Sequence, residues 1–229
     1  MRLDKYLSET GYGTRNEVKK LIKQKVVYVN GSLCLKADQK VNEETDSIVV
    51  EGMEVVYKRY AYYMLNKPSG YISATEANVP TVLDLIYEVD KHLFPCGRLD
   101  KDTEGLLLIT NDGDLSHRLL SPKNGIEKEY YVECRDEISD KQVELIEKGI
   151  VLETESYKPA HIQKREGKHC HILLTEGKYH EIKRMFLAVN NEVTYLKRVR
   201  MHTLKLDESL ASGEYRELSE AELEALKAI

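Results

Sequence analysis

The sequence predicts an α+β protein of two domains, a small one over residues 1–57 and a larger one over residues 58–229. The length of 229 residues allows one large domain or two smaller ones. The N-terminal segment carries its own succession of helix, helix, hairpin and strand signals. The rest alternates short strand-like and helix-like segments without a repeat, which is typical of α+β folds rather than of a regular βαβ winding.

Composition places the chain among folded globular proteins. Apolar residues make up 41% of the chain and charged residues 32%, which does not fit a disordered protein. The formal charge is −5, so any surface that attracts nucleic acid has to be local. Four dispersed cysteines without a CxxC pair indicate reduced thiols. The charged N-terminus and the lack of an apolar run near the roughly 20 residues of a membrane span lead us to expect a cytoplasmic protein with no membrane segment.

The N-terminal module begins with two predicted helices. Leu3, Tyr6 and Leu7 have helical spacing. Thr14–Glu17 is a capping box, in which a Thr hydroxyl and a Glu three residues later each satisfy an amide at the start of a helix. The second helix has an apolar stripe within Val18–Ile22 and, on its other face, a row of cations. These cations are Arg15, Lys19 and Lys23.

A hairpin and a strand complete this module. Two β-prone runs flank Asn30-Gly31, a pair that favours a tight turn because both positions tolerate positive φ. Residues 46–52 predict a further strand. This order resembles the small RNA-binding domain named after ribosomal protein S-four, which implies that the basic helix docks on RNA. A solvated lysine face remains the alternative on the residues alone.

The second module starts after a linker near Val56. Its predicted strands are residues 61–66, 105–110, 129–134, 169–175 and 192–199. Its predicted helices are residues 81–88, 114–120, 139–149 and 179–189, with a terminal helix over 219–228. Ser219 and Glu222 give that last helix capping-box spacing.

Five acids surround one apolar run in GRLDKDTEGLLLITNDGDL, Gly97–Leu115. The segment starts like a calcium loop, but Asn111 occupies the position that needs a bidentate Glu, and apolar residues fill the middle of the loop. We therefore expect no metal site. Gly105–Thr110 instead predicts a buried strand. The five acids are Asp100, Asp102, Glu104, Asp112 and Asp114.

These acids are expected to have separate roles. Asp112 and Asp114 precede a predicted helix and should form its turn and cap. Asp102 and Glu104 are predicted to be exposed loop acids. Asp100 follows an arginine by two residues and precedes the buried strand, so a neighbouring cation could hold its carboxylate ionised. The spacing alone makes Asp100 a candidate for chemistry and leaves a structural role open.

Four segments resemble the motifs of one enzyme family. Gly97–Leu115 is similar to the pattern GRLD-x-x-T-x-GLLLLTNDG of the RsuA/RluB/RluE/RluF group of RNA pseudouridine synthases. Met64–Ser73, Ile126–Val132 and Leu174–Phe186 are similar to the group's NKP-x-G, K-x-Y and EG-[KR]-YHQ-[VI]-[KR]-RM motifs. Glu181 stands where the last motif usually has Gln. Because the group also carries an S-four-like domain, the resemblance covers essentially the whole chain.

The resemblance implies a fold, an activity and roles for single residues. The fold is an S-four-like RNA-binding domain followed by a catalytic domain with a mixed, mainly antiparallel β-sheet and flanking helices. The activity is the isomerisation of uridine to pseudouridine, without a cofactor. Asp100 matches the catalytic carboxylate, as a nucleophile or as a base. Tyr130 matches the aromatic that packs on the target base, and Lys183 the cation that pairs with the carboxylate, with Arg184 as the weaker candidate.

Further residues are expected to contact RNA. Residues 176–205 carry seven Lys and Arg against three acids, and this excess favours phosphate contacts. For Lys67, at a strand end, capping of the strand is an equal alternative, and His180 is expected to be structural. The predicted RNA-binding residues are Arg98, Thr103, Arg184, Lys178, Arg15, Lys19, Lys23 and Lys67.

The expected partner is ribosomal RNA or a pre-ribosomal particle, and the expected state is a monomer. The short C-terminus has no basic tail after the terminal helix, which favours the small-subunit (16S) branch of the group over the large-subunit (23S) branch. A catalytically silent RNA-binding assembly factor is the alternative. The presence of Asp100, Tyr130 and Lys183 together argues against it.

Overall fold

The computed structural model describes residues 1–87, 92–153 and 155–229. The chain divides into two compact units, Met1–Tyr60 and Ala61–Ile229. The sequence places this boundary slightly earlier, after residue 57. Among the described residues, no helix has the length and apolar character that crossing a bilayer requires.

The N-terminal unit contains two helices and a four-stranded antiparallel sheet of order β2-β1-β3-β4. Its helices are α1 (Leu3–Glu9) and α2 (Arg15–Lys23), and its strands are β1 (Val27–Val29), β2 (Ser32–Leu33), β3 (Ile48–Val50) and β4 (Met53–Glu54). The predicted capping box of α2 is confirmed, with Glu17 N donating to Thr14 Oγ1 and Thr14 N to the Glu17 carboxylate. The predicted turn is also confirmed, since Asn30 and Gly31 have φ of 49° and 77°.

A nine-stranded sheet forms the centre of the C-terminal unit. Along its main path the order is β11-β12-β8-β13-β7-β5-β15, with β14 beside β13 and β6 beside β7. The pair β13–β7 is parallel and the other described pairs are antiparallel, as the family resemblance implies. The strands are β5 (Tyr62–Lys67), β6 (Phe94–Cys96), β7 (Glu104–Thr110), β8 (Lys128–Cys134), β11 (His161–Glu166), β12 (His169–Leu174), β13 (Val193–Met201), β14 (Leu204–Lys205) and β15 (Tyr215–Glu217). A separate ladder joins β9 (Ile150–Val151) and β10 (Ser156–Tyr157).

Four α-helices accompany this sheet within the described ranges. They are α3 (Gly113–Leu120), α4 (Asp140–Lys148), α5 (Glu181–Ala188) and α6 (Glu220–Lys227). The capping box of α6 is confirmed, because Ser219 Oγ accepts from Glu222 N and the Glu222 carboxylate accepts from Ser219 N. Asp112 is confirmed as the cap of α3, where its Oδ1 accepts from Leu115 N at 3.0 Å.

The predicted helix over residues 81–88 is wrong. Val82–Leu85 forms a single 3₁₀ turn, and Ile86 after it has extended backbone angles. Thr81 and Asp84 form a capping box at that turn, and the apolar side chains of the turn pack in the core. Spacing of apolar residues alone could not distinguish this turn from a longer helix. Glu88 lies outside the described residues.

Strand β7 positions the loop that precedes it. The run Leu106–Ile109 is completely buried between β5 and β13, so these residues form a core strand and not the middle of a calcium-binding loop. Gly105 has a φ of 95°, and a Cβ on it would lie 2.3 Å from Arg198 O. A glycine is therefore needed for β13 to approach β7 at the end where residues 97–103 enter the strand.

Candidate active site

Hydrogen bonds fix the loop that carries Asp100. Leu99 N donates to Ser73 Oγ at 3.0 Å, and that hydroxyl donates to Leu99 O at 3.1 Å. On the other side, Thr103 N donates to Asp100 O at 3.1 Å and closes a turn. Asp100 is therefore held on a fixed turn directly before β7, which limits the positions that its carboxylate can take.

Lys67 supports the same loop from inside the protein. Its side chain is fully buried (0% exposed), and Nζ donates to Lys101 O at 3.2 Å and to Thr103 O at 2.7 Å. Burial lowers the pKa of Lys67 to about 8. The predicted contact of Lys67 with RNA does not fit this geometry, because the side chain has no exposed surface and its ammonium already donates to three carbonyl oxygens, of Pro68, Lys101 and Thr103. The alternative role at the end of β5 agrees with these contacts.

The Asp100 carboxylate lies beside two side chains from α5 and its N-terminus. Lys183 Nζ donates to Asp100 Oδ2 at 3.0 Å, and His180 Nε2 lies 3.6 Å from Asp100 Oδ1. The carboxylate is 25% exposed, so solvent or a substrate can reach it. Lys183, and not its neighbour Arg184, is thus the cation on Asp100. His180, expected to be structural, starts α5 with a φ of 52° and faces this carboxylate.

Lys183 also binds Asp102, which the sequence treats as loop surface. Lys183 Nζ lies 2.6 Å from Asp102 Oδ1. Burial by itself would lower the pKa of Lys183, but the hydrogen bonds to Asp102 and Asp100 outweigh burial and raise it. Lys183 therefore stays charged at neutral pH. Asp102 is exposed as predicted, but it helps to hold the cation.

Glu104 is not an exposed loop acid as predicted. It is half-buried at the first position of β7, and its Oε2 accepts from the Tyr195 hydroxyl at 2.7 Å. The strand begins one residue earlier than its apolar run suggests, because Glu104 pairs with Lys197 in the parallel ladder between β7 and β13.

Tyr130 forms one wall of the depression in front of Asp100. It lies on β8 with 8% of its surface exposed, and the side chains of Leu196 and Ile182 line the same depression. Its hydroxyl makes no hydrogen bond within the described residues. An aromatic face and apolar neighbours around one anchored carboxylate form a suitable surface for a planar base.

Thr103 and Arg98 occupy different parts of this depression. Thr103 lines it but is almost fully buried, and within the described residues its Oγ1 has no hydrogen-bond partner. A contact between Thr103 and RNA is therefore limited to a group that enters the depression. Arg98 is exposed at the rim, beside Asp100.

The other predicted RNA contacts lie on two surfaces. Near the depression, Lys178 pairs with Glu176 at 3.3 Å, and Arg184 pairs with Glu155 and stacks over the ring of Tyr179 at 5.5 Å. In the N-terminal unit, three cations are exposed along α2 and make no side-chain hydrogen bond with described residues. These three are Arg15, Lys19 and Lys23.

Sequence reasoning missed three buried charges around the depression. Glu181 was noted only as a departure from the motif, yet it is 5% exposed and burial raises its pKa. Lys128 and Arg198 are also buried, at 7% and 2% exposure. The sequence offered two signals. Lys128 belongs to the K-x-Y motif, and Arg198 lies within a β-prone run, where a charged side chain is either exposed or kept buried by a specific interaction.

The chain is similar to known proteins in both of its units. A model of the family described as RNA pseudouridylate synthase matches residues 61–188, and a model described as S4 domain matches residues 1–47. A Bacillus subtilis (strain 168) protein named as an RNA pseudouridine synthase is 45% identical, over 99% of this chain and 98% of the relative.

Two further proteins are similar over nearly their full lengths. A Vibrio vulnificus (strain CMCP6) protein named ribosomal small subunit pseudouridine synthase A is 41% identical, over 99% of each chain. A crystal structure described as pseudouridylate synthase superposes with a TM-score of 0.70 at 37% identity, again over 99% of each chain.

Proposed function

We propose that this chain, which belongs to the RNA pseudouridylate synthase family and is an RNA pseudouridine synthase, isomerises a uridine of small-subunit ribosomal RNA with Asp100 as its catalytic carboxylate. The support for the substrate is that several full-length relatives, at 36–41% identity, are named for the small ribosomal subunit. A bacterial enzyme with this substrate acts in the cytoplasm, and we propose that it acts there as a monomer.

The contact between Asp100 and Lys183 is the observation that carries the catalytic assignment. It joins residues 83 positions apart at 3.0 Å, beside the wall formed by Tyr130. The reaction breaks the bond between N1 of uracil and C1′ of ribose and forms a bond between C5 and C1′, and the proton of C5 is lost while N1 gains one. A carboxylate can serve either as a nucleophile or as a base in this exchange, and in both roles Lys183 Nζ holds it in place by a hydrogen bond to Oδ2.

The target uridine has to leave its stack to reach Asp100. Extrusion of a base costs a few kcal/mol, and stacking on an aromatic side chain is worth roughly 1–3 kcal/mol. Tyr130 can therefore offset much of that cost if it packs on the extruded base. No redox change takes place, so the proposed chemistry needs no cofactor.

Release of tritium from RNA labelled at C5 of uridine tests the activity. Isomerisation expels the label, because C5 exchanges its hydrogen for the bond to ribose. Small-subunit ribosomal RNA should release one equivalent from a single site, found by mapping modified positions in RNA from a deletion strain. Modification of large-subunit RNA alone would refute the substrate, and binding without release from any ribosomal RNA would instead fit a silent assembly factor.

Asp100→Asn tests the catalytic assignment. The amide keeps the shape of the side chain but cannot act as a nucleophile or a base, so turnover should fall by at least about 10³-fold. RNA affinity in a filter-binding assay should change little. Asp102→Asn is the matched control on the same loop and on the same cation, and it should cost at most about tenfold. Turnover of Asp100→Asn close to that of Asp102→Asn would contradict the role of Asp100.

A further inference from the structure

Two buried cations face a cavity that adjoins the depression of Asp100. The cavity has a volume of about 530 Å³, and both Lys128 on β8 and Arg198 on β13 line it. They are 7% and 2% exposed, and each charge acts on the other across the neighbouring strands. Buried cations normally face a carboxylate or another anion.

Neither cation has such a partner among the described residues. Arg198 Nε donates to Leu106 O at 2.7 Å, whereas its Nη2 is buried without a hydrogen-bond partner. Lys128 Nζ donates only to carbonyl oxygens, of Ile126 at 3.1 Å and of Glu176 at 3.4 Å. Burial, and then the charge of Arg198, lowers the pKa of Lys128. An anion in the cavity would oppose both effects.

Acids around the two cations do not neutralise them. Glu176 is the acid among the cavity's lining residues, and its carboxylate pairs with Lys158 at 3.5 Å and Lys178 at 3.3 Å. Glu181 attracts Lys128 from outside the cavity, but among the described residues it makes no ion pair with Lys128 or Arg198, and its carboxylate accepts a hydrogen bond from Lys178 N at 2.9 Å. Positive charge thus remains uncompensated at the floor of the cavity.

The cavity shares part of its wall with the depression at the reaction site. Arg98, Tyr130 and Gly177 line both the cavity and the depression in front of Asp100. A polynucleotide that presents one base to Asp100 therefore has its backbone close to this opening. Each nucleotide offers a phosphodiester, whose oxygens accept hydrogen bonds from guanidinium and ammonium groups.

We propose that Lys128 and Arg198 form a binding site for one phosphodiester of the RNA strand, next to the nucleotide that reacts at Asp100. Arg198 supplies the unpartnered Nη2 and Lys128 a second charge, while the exposed Arg98 completes the rim. The RNA identity of this ligand rests on the proposed function. The anion site itself does not, since inorganic phosphate offers the same oxygens.

The first test measures inorganic phosphate binding by the full chain. Phosphate at millimolar concentration should raise the melting temperature above that in chloride of equal ionic strength, because a ligand of the folded state stabilises it. Arg198→Met should abolish this increment. Arg200→Met is the matched control: a bulge after Arg198 turns Arg200 away, and it pairs with Glu129 at 2.9 Å. The control should keep the full increment.

A second variant keeps the phosphate test decisive if Arg198→Met does not fold. Arg198 is bonded to β7, so if Arg198→Met does not fold, Lys128→Met is measured in its place and should reduce the increment at least by half. An equal increment in the wild type and in the folded variant would overturn the site. So would an equal loss in the Arg200→Met control.

The second test asks whether the anion is part of the RNA. The shortest fragment of small-subunit ribosomal RNA that the protein binds is made with a single neutral methylphosphonate, placed in turn at each of its phosphates. The RNA affinity of the wild-type protein should fall about tenfold when the methylphosphonate occupies one particular position. Arg198→Met should bind unmodified RNA about tenfold more weakly than the wild type, and a methylphosphonate at that position should not lower its affinity further.

The results separate this inference from the proposed function. If the affinity losses caused by the methylphosphonate and by Arg198→Met add at every position, the phosphodiester site is overturned. Binding of inorganic phosphate without coupling between these two changes would mean that the site takes a free anion instead. Both tests measure binding and do not depend on turnover. Absence of tritium release by the wild-type protein, with the coupling intact, would therefore contradict only the proposed reaction.

Discussion

At the scale of single residues, the site depends on the surroundings of each charge more than on its identity. Asp100 and Asp102 lie two positions apart and share Lys183, yet the side chain of Asp100 is 25% exposed and that of Asp102 71%. Asp100 also faces the wall that contains Tyr130. The Asp100 carboxylate is thus partly exposed, paired with one fixed cation and close to an apolar surface, which is the combination that the proposed reaction needs.

Glu181 allows a prediction about stability and pH. Burial raises the pKa of Glu181, and the charge of Glu176 adds to this, whereas the Lys178 amide and the charges of Lys178 and Lys128 lower it. A carboxyl whose folded pKa is raised is harder to ionise in the folded protein than in the unfolded chain. The resulting loss of stability begins as the pH rises through the ordinary value of about 4.3 and is complete above the folded pKa.

Glu181→Gln should therefore melt at a higher temperature than the wild type at pH 7. The amide carries no charge, and its oxygen can still accept from Lys178 N, as the carboxylate does at 2.9 Å. The advantage should shrink steadily when melting is repeated down to pH 4.5. A lower melting temperature of the variant at pH 7 would show instead that the ionised carboxylate is a net stabilising partner of its two lysines.

At the scale of elements, the close approach of β7 and β13 connects the loop of Asp100 to Arg198. Gly105 pairs with Arg198 in the parallel ladder and has a φ of 95°. An added Cβ would lie 2.3 Å from Arg198 O and 2.8 Å from Lys197 Cγ. The backbone conformation and the lack of space both exclude a side chain here, and the clash involves backbone, which cannot move aside cheaply.

Gly105→Ala should destabilise the protein by about 2–4 kcal/mol, the sum of a left-handed conformation and an overpacked contact. Urea unfolding measures this change. Gly113→Ala is the matched control, since Gly113 lies in the first turn of α3 outside the left-handed region, with nothing within 4 Å of an added Cβ. The control should be neutral or stabilised by up to about 1 kcal/mol. Equal effects of the two substitutions would refute the packing argument.

The elements also show which features the sequence could predict. Caps and turns are local, so Thr14, Asn30, Asp112 and Ser219 were readable from their nearest neighbours. The helix predicted over residues 81–88 failed because its length depends on packing. At the site, spacing alone left Asp100 with several roles, and the family resemblance selected among them.

Contacts between distant segments were beyond the sequence. Lys67 lies at the end of a strand and Arg198 within a β-prone run. In neither place does the local sequence distinguish a buried cation from an exposed one. Their burial depends on carbonyl oxygens from residues 34 to 92 positions away. Side chains of this kind are revealed only when the strands are assembled.

At the scale of the whole molecule, a protein of formal charge −5 has to bind a polyanion through local surfaces. The catalytic unit has cations around the depression, and the N-terminal unit has the exposed cations of α2. The two surfaces have different tasks in the proposed function. We expect the cations near Asp100 to position one nucleotide and the cations of α2 to add affinity through contacts with phosphates.

Lys19→Ala/Lys23→Ala tests this division of roles. Each lost phosphate contact lowers the slope of log affinity against log salt by about 0.7–0.9, so the double variant should lose about 1.4–1.8 in slope. Its turnover number at saturating RNA should equal that of the wild type. The measurements are RNA binding at several salt concentrations and tritium release at saturation.

Lys36→Ala/Lys40→Ala is the matched control, because it removes two exposed lysines from the same unit and changes the net charge equally. Its salt slope should fall by much less, since Lys36 and Lys40 lie outside α2 and their loss weakens the attraction to RNA without removing a proposed contact. Equal losses of slope in both double variants would mean that the α2 lysines act only through net charge. No loss in Lys19→Ala/Lys23→Ala would show that α2 does not contact RNA, and the residual affinity would then have to come from the catalytic unit or from other parts of the N-terminal unit.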